Sequence, residues 1–201
     1  MHTRRLITFL LGAWLGGMAL VGVIATENFR TSDRIVDMPL GGAKKVLDKI
    51  GRDSRALVRH EASEMNRAMF ETSEWAQIAL GASIIALVIF SRRQSKERVL
   101  ATLVIAGLML TIVLIQRFLL TPEMMGTGRL LDFGEAANVE RERRIFGSLH
   151  IMYGAAEIVK GLIGLFYVGF LLKASGRPAG SSRKSRQIDT IDDTDYSHVD
   201  G

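Results

Sequence analysis

Four long apolar runs, separated by charged segments, constrain this chain more than any other feature of its sequence. The first run, residues 6–25, contains 20 residues and no charged side chain. A helix needs about 20 apolar residues to cross a bilayer, so the run predicts a membrane span. It is longer than the apolar region of about 7–15 residues in a secretory signal peptide, and we therefore expect it to be retained.

The other three runs predict further spans at residues 75–91, 99–117 and 146–172. Trp75 opens the second run, where an aromatic side chain is typical of the membrane interface. About eight residues separate the second run from the third, which requires a tight helical hairpin. We predict an all-α fold, a four-helix transmembrane bundle, over residues 1–173.

The first connection combines an irregular part with a helical part. Residues 27–42 predict an irregular exit from the first span, because Pro39, Gly41 and Gly42 interrupt helices. From 43 to 72, apolar residues recur at spacings of three, four or seven. This pattern predicts an additional charged amphipathic helix between spans 1 and 2, outside the membrane, that could run straight into the second span.

The later connection and the C-terminus are polar. Residues 118–145 have Pro122 near their start, and the stretch from about 138 to 144 predicts a short helix that leads into the fourth span. Residues 174–201 have no hydrophobic period and are rich in Ser, Gly, Asp and Arg. Such a composition cannot bury enough apolar surface to fold, so it predicts a disordered tail.

Positive charge predicts the orientation of the bundle. The N-terminus is basic, and the loop RRQSKER between the second and third spans carries four basic residues against one acidic residue. Cytoplasmic loops are enriched in Lys and Arg. We therefore predict a multi-pass protein of the bacterial inner (cell) membrane, with both termini and the tail in the cytoplasm.

Composition excludes several classes of function. The chain has no cysteine, which removes disulfides, thiolate metal sites and cysteine nucleophiles. Its net charge of +5 is spread out rather than gathered into a basic patch with aromatic residues, so we expect no nucleic-acid partner. Phosphate-binding loops and hydrolase motifs are also missing from the sequence, and we expect neither an enzyme nor a cofactor.

The fourth span contains ionisable groups on one helical face. His150, Tyr153, Glu157 and Lys160 lie on or beside the face that also carries glycines. A charge in the middle of a bilayer costs about 2.5–3.5 kcal/mol or more, so these groups should face the bundle interior. Glu157 and Lys160 are three residues apart and can pair directly. The pair fits either a structural lock or a functional site, which would be a proton or ion relay or a polar ligand pocket.

Polar residues near the outer ends of the other spans are candidate partners for this face. They would line an outward-facing polar cavity if the predicted orientation is right. These residues are Glu27, Asn28, Glu74, Gln77, Gln116 and Arg117.

Two metal sites can be drawn from the sequence, and we prefer a structural interpretation of both. His150 could join Glu27 and Glu74, but nothing in the sequence fixes their geometry. Thioether ligands suit soft copper, and four methionines are available for it: Met65, Met69, Met124 and Met125. Methionines are more often packing residues, and we predict no metal site.

Glycines at helical spacing predict where spans approach one another. Small residues drive the association of helices in lipid, where the hydrophobic effect does not. We expect close packing within one bundle, with an interface between two copies as the alternative. The residues are Gly12, Gly16, Gly17, Gly154, Gly161 and Gly164.

Three stretches carry a family resemblance. LGAWLGGMALVGVIATENFR, RFLLTPEM and FGSLHIMYGAAEIVKGLIGL resemble, in this order, the first span, the third-span exit and the fourth span of the bacterial family known as domain of unknown function 4149. That family is similar to eukaryotic transmembrane protein 205. The resemblance covers roughly residues 10–173 and implies a four-helix integral membrane protein of unsettled function, without catalytic residues.

Two classes of function follow as expectations. The first is a small structural or accessory membrane protein, with the lipid bilayer as its environment and a second copy or another membrane protein as its partner. The alternative is a transporter of a small solute, a proton or a metal ion that uses the polar face of the fourth span. An intramembrane enzyme ranks third.

Overall fold

The computed structural model describes residues 2–91, 96–132 and 138–173, and these residues form helices joined by short turns. The predicted tail, residues 174–201, lies outside the described part. The helices are α1 (His2–Asp37), α2 (Gly42–Ile50), α3 (Ser54–Phe90), α4 (Lys96–Ile115), α5 (Thr121–Asp132) and α6 (Val139–Lys173).

Four helical segments are long and apolar enough to cross a membrane, which confirms the predicted all-α transmembrane bundle. They are Arg5–Asp37, Gly42–Phe90, Val99–Asp132 and Val139–Leu172. Large apolar side chains point outward: Phe90 is 83% exposed and Phe166 is 77% exposed. Water would disfavour such a surface, whereas lipid accommodates it.

The long helices form a closed ring. Helix α1 packs on α3 and α6, while α4 packs on the other side of α3 and α6. Helix α5 continues the direction of α4 and packs on α6 and α3. Each of the four long rods therefore has two neighbours, and the rods together enclose a common interior.

The interior is apolar in the half where α1 begins and α6 ends, here called the apolar half. Ten buried residues form its core, and the hydroxyl of one of them, Tyr167, is hydrogen-bonded to Thr102. The core residues are Ile7, Leu11, Trp14, Ile84, Val88, Ala106, Met109, Val113, Tyr167 and Leu171. The opposite half, where α1 ends and α6 begins, is here called the charged half.

The predicted irregular exit after the first span is wrong, because α1 remains helical to Asp37. Its 36 residues make a rod of about 54 Å, longer than the roughly 30 Å hydrocarbon core of a bilayer. Contacts with α3 hold the extension, since Asn28 donates to Asn66 at 2.6 Å and Arg59 donates to Asp33.

The amphipathic helix predicted at 43–72 is present but broken. It ends at Ile50, a 3₁₀ turn covers Gly51–Asp53, and α3 then continues without interruption into the second span. Gly51 has φ +73°, a left-handed conformation that favours glycine, and the chain changes direction there. Only the short α2 is therefore a separate element.

The polar connection predicted after the third span begins with helix rather than loop. A π-helical turn, Gln116–Leu120, joins α4 to α5. Pro122 follows within α5, and a wider turn before a proline relieves the clash of its ring with the preceding carbonyl. The short helix predicted at 138–144 is confirmed as the start of α6, where Asn138 Oδ1 caps Arg141 N at 3.0 Å.

Candidate functional site

A cavity of about 640 Å³ lies between the helices of the charged half. Its walls come from α1, α3, α5 and α6 and are mostly apolar, and its deep end meets the apolar half. Wall residues include Met18, Val21, Phe29, Phe70, Met124, Met125 and Phe146.

Lys160 lies beneath the deep end of the cavity, with its side chain fully buried. Its Nζ donates to Glu157 Oε1 at 2.7 Å and to Gln77 Oε1 at 2.8 Å. Gln77 Oε1 also accepts from Trp14 Nε1 at 3.0 Å. A buried charge requires partners of this kind. The direct partners of Lys160 lie on α6 and α3, and Trp14 adds α1 through its bond to Gln77.

Glu157 joins Lys160 to the third span. Its Oε1 accepts a second hydrogen bond from Gln116 Nε2 at 3.1 Å, and the same Nε2 lies 3.3 Å from the Tyr153 carbonyl oxygen. The Glu157 side chain is 24% exposed and lines the cavity. We call Trp14, Gln77, Gln116, Glu157 and Lys160 the floor network.

A second buried carboxyl group lies beside the floor network. Glu74 is fully buried, and its Oε1 accepts from Thr121 Oγ1 at 2.5 Å. Its Oε2 is 3.9 Å from Arg117 Nε, and the Tyr153 hydroxyl lies next to the same carboxyl group. The π-helical turn places Gln116 and Thr121 on the interior side of one rod, which fits the frequent occurrence of π turns at functional sites.

The other end of the cavity carries ion pairs. His60 Nδ1 lies 2.9 Å from Asp132 Oδ2, which also accepts from Arg67 at 2.8 Å. Arg129 donates from Nε and Nη2 to the two oxygens of Glu64, both at 2.9 Å. These contacts join α3 to α5 beyond the apolar stretches. Arg129, with Arg67, lowers the pKa of Glu64 to about 2.

One carboxyl–imidazole cluster at this end has the composition of a metal site. His60, Glu64 and Asp132 each place a ligand atom within 4.8 Å of the others. Arg67 and Arg129 already donate to these carboxylates. Two guanidinium groups therefore supply the positive charge, and the cluster is satisfied as an ion-pair network.

The structure brings together most of the residues that the sequence singled out. Tyr153, Glu157 and Lys160 meet Glu74, Gln77, Gln116 and Arg117 at the deep end of the cavity. The members of this set belong to α3, α4 with its π turn, and α6.

Three predicted site residues lie elsewhere. Glu27 pairs with Arg30 on the exposed surface at 2.7 Å, and Asn28 bonds to α3. His150 lines the cavity but stacks on Phe146, with ring centroids 5.9 Å apart. The metal site drawn from His150, Glu27 and Glu74 is therefore not assembled.

The four methionines considered as copper ligands are not brought together either. Met65 is 62% exposed, and Met69 lies on a groove between α1 and α3 rather than in the cavity. Met124 and Met125 are buried cavity-wall residues. The four methionines thus occupy three different surroundings.

Most of the glycines predicted to pack helices together do not make close helix contacts. A Cβ at Gly12, Gly16, Gly17, Gly154 or Gly161 would meet nothing within 4 Å. Gly164 fits the prediction, because a Cβ there would lie 2.6 Å from Leu15 Cδ2. Gly81 and Gly128 also allow close approach and carried no spacing motif that would have identified them.

Sequence reasoning missed three participants. Trp14 looked like an ordinary span residue, and Thr121 and Asn66 lay in segments predicted as connections. A helical wheel of residues 54–77 could have placed Asn66, Glu74 and Gln77 together, since they recur at spacings of eight and three residues.

Comparison with known proteins gives one match. Residues 54–129 match the model of the family described as Domain of unknown function (DUF4149). The matched segment comprises α3, α4 and most of α5, and it contains Glu74, Gln77, Gln116 and Thr121. No curated protein and no solved structure matches the chain.

Proposed function

We propose that this protein is a membrane-embedded binding protein that holds a small amphipathic molecule in the cavity between its helices. The cavity volume of about 640 Å³ lies within the range of about 300–1,000 Å³ that is typical of small-molecule sites. Apolar walls with a few convergent polar groups at one end are the usual composition of such sites. The partly exposed Glu157 side chain, which lines the deep end of the cavity, is the observation on which the proposal depends.

A purely structural role accounts less well for this geometry. A polar network that only locks helices together has no reason to leave a charged group facing an open space. Gly22 and Gly154 also line the cavity, and a Cβ at either would meet nothing within 4 Å. The sequence thus keeps space open where a larger side chain would fit.

Transport of a solute, a proton or a metal ion is the second candidate, and the buried Glu157–Lys160 pair favours it. Intramembrane ionisable groups commonly mark ion pathways. The apolar core below Trp14, however, separates the cavity from the other side of the bundle. A binding site that opens on one side, in an accessory protein, fits this arrangement better.

We also propose a location, an orientation and a partner. The basic N-terminus and the RRQSKER loop support a bacterial inner membrane with both termini in the cytoplasm. The cavity then opens toward the outer side. We also propose that the protein is related to eukaryotic transmembrane protein 205. The uncovered Gly12, Gly16 and Gly17 support a second copy or another membrane protein as a neighbour of α1.

Filling the cavity tests the proposal. In nanodiscs, a decanol with a dibrominated mid-chain should quench Trp14 saturably in a Trp75→Phe background, because Trp14 lies directly behind Gln77. The Gly154→Leu substitution should weaken this binding at least about tenfold, since the new side chain occupies the cavity without a clash at its Cβ.

Gly169→Leu provides the matched control. Gly169 belongs to the same helix and a Cβ there would also meet nothing within 4 Å, but this residue does not line the cavity. Its variant should bind the probe as the parent protein does. Equal quenching in the Gly154→Leu and Gly169→Leu proteins would show that the cavity is not the binding site.

A further inference from the structure

We propose that the cavity selects amphiphiles with a cationic head group of the alkylammonium type, which Glu157 binds at the deep end. This inference rests on the proposed function and adds the chemistry of the ligand. Three observations carry it: the exposure of the Glu157 carboxylate, the complete burial of its partner Lys160, and the pairing of the other charges that line the cavity.

Lys160 cannot bind an anionic head group directly. Its side chain has no exposed surface, and its Nζ already donates to Glu157 and Gln77. Its positive charge therefore holds the Glu157 carboxylate in position. A ligand in the cavity meets the outer side of the pair, which is Glu157.

Glu157 retains acceptor capacity toward the cavity. Both hydrogen bonds from the floor network, from Lys160 and from Gln116, end on Oε1. A carboxylate has two oxygens with about four lone-pair positions, so Oε2 can accept further donors. An ammonium group offers up to three donors together with the complementary charge.

The remaining charges on the cavity wall lie at the opposite end and have partners there. Arg59 donates to both oxygens of Asp33, and Arg67 donates to Asp132. His60 shares Asp132 with Arg67. Because these charges are paired at the other end, Glu157 is the charged group that a ligand meets at the deep end of the cavity. The apolar walls between the two ends suit the alkyl chain of a ligand whose head lies on Glu157.

Three probes with the same dibrominated decyl chain test the inference: the ammonium, the alcohol and the carboxylate. Each is titrated into phosphatidylcholine nanodiscs that contain the Trp75→Phe protein, and Trp14 quenching is measured against the probe's mole fraction in the bilayer. The mole fraction comes from partitioning into empty nanodiscs, which removes differences in membrane affinity. We expect the ammonium to bind at least about tenfold more tightly than the carboxylate, with the alcohol between them.

The decisive variant is Glu157→Gln with Lys160→Met, which removes both charges and leaves no buried lysine without a partner. It should still bind the alcohol, and its preference for ammonium over carboxylate should fall to about twofold or less. Glu123→Gln is a control, because Glu123 is exposed and does not line the cavity. It should keep the full preference.

The outcomes separate this inference from the proposed function. Failure of all three probes to quench saturably would overturn both. Saturable quenching with equal affinity for ammonium and carboxylate, or a preference that survives in the double variant, would overturn the inference and leave the binding cavity standing. A preference for the carboxylate would also overturn the inference. It would show that a cationic side chain of the protein, and not Glu157, binds the head group.

Discussion

Glu157 and Lys160 form one ion pair, but they do not share the same surroundings. Lys160 is fully buried, whereas the Glu157 side chain is 24% exposed to the cavity. Removing one member of a buried pair leaves the other charge uncompensated, and the cost depends on how far water can reach the remaining group. The two single substitutions should therefore differ.

We predict that Glu157→Gln lowers the free energy of unfolding by about 3–5 kcal/mol, because it leaves a buried ammonium without its carboxylate. Lys160→Met should cost only about 1–2 kcal/mol, since the remaining carboxylate faces the cavity. The double variant should recover most of the loss. Steric trapping in bicelles measures these values, and equal costs for the two single variants would contradict the asymmetry.

Helix packing in the apolar half depends on a close approach between elements. A Cβ at Gly81 of α3 would lie 3.0 Å from Trp14 Cη2 and 3.2 Å from Leu110 Cδ1. Trp14 is almost completely buried and bonded to Gln77, so its ring cannot move aside without disturbing the floor network. Glycine at this position thus links the packing of three helices to the position of the polar groups.

We predict that Gly81→Ala destabilises the bundle by about 1–3 kcal/mol through overpacking against Trp14. Gly107→Ala on α4 is the matched control, because nothing lies within 4 Å of its Cβ position. Better helix propensity should make the control neutral or stabilising by up to about 1 kcal/mol. Thermal unfolding in one detergent compares the two, and equal shifts in Tm would argue against the close contact.

The molecule as a whole has a polar half that encloses a cavity and an apolar half that closes it. Four rods longer than a bilayer is thick extend beyond the membrane on the charged side, where ion pairs join α3 to α1 and α5. This asymmetry gives the orientation a functional meaning. The cavity lies in the half of the bundle that also carries the α1–α2 turn.

Cysteine labelling decides the orientation, since the natural chain has no cysteine. In intact cells, a membrane-impermeant maleimide should label the Leu40→Cys variant, because Leu40 is 85% exposed in the turn between α1 and α2. The Ser95→Cys variant should react only after the cells are permeabilised. The reverse pattern would place the cavity on the cytoplasmic side and invert the proposed topology.

The sequence predicts the site's contacts within one helix better than its contacts between helices. The Glu157–Lys160 pair follows from a spacing of three residues in one helix. Gln77 and Gln116 were expected as partners because antiparallel spans bring their ends together. Trp14 was not expected, since its role depends on the rotation of α1 against α3, which no local pattern specifies.

The sequence by itself determined four apolar rods, the short turns between some of them, and the polar face of the fourth. These features follow from the cost of placing charge or unpaired backbone in lipid, a cost that each segment meets alone. Tertiary structure decided that the rods leave a cavity, that Lys160 lies behind Glu157, and that Gly81 rather than the Gly12–Gly16 pair sets a close contact. Those outcomes depend on how helices rotate and fit against one another, and that fit is a property of several segments at once.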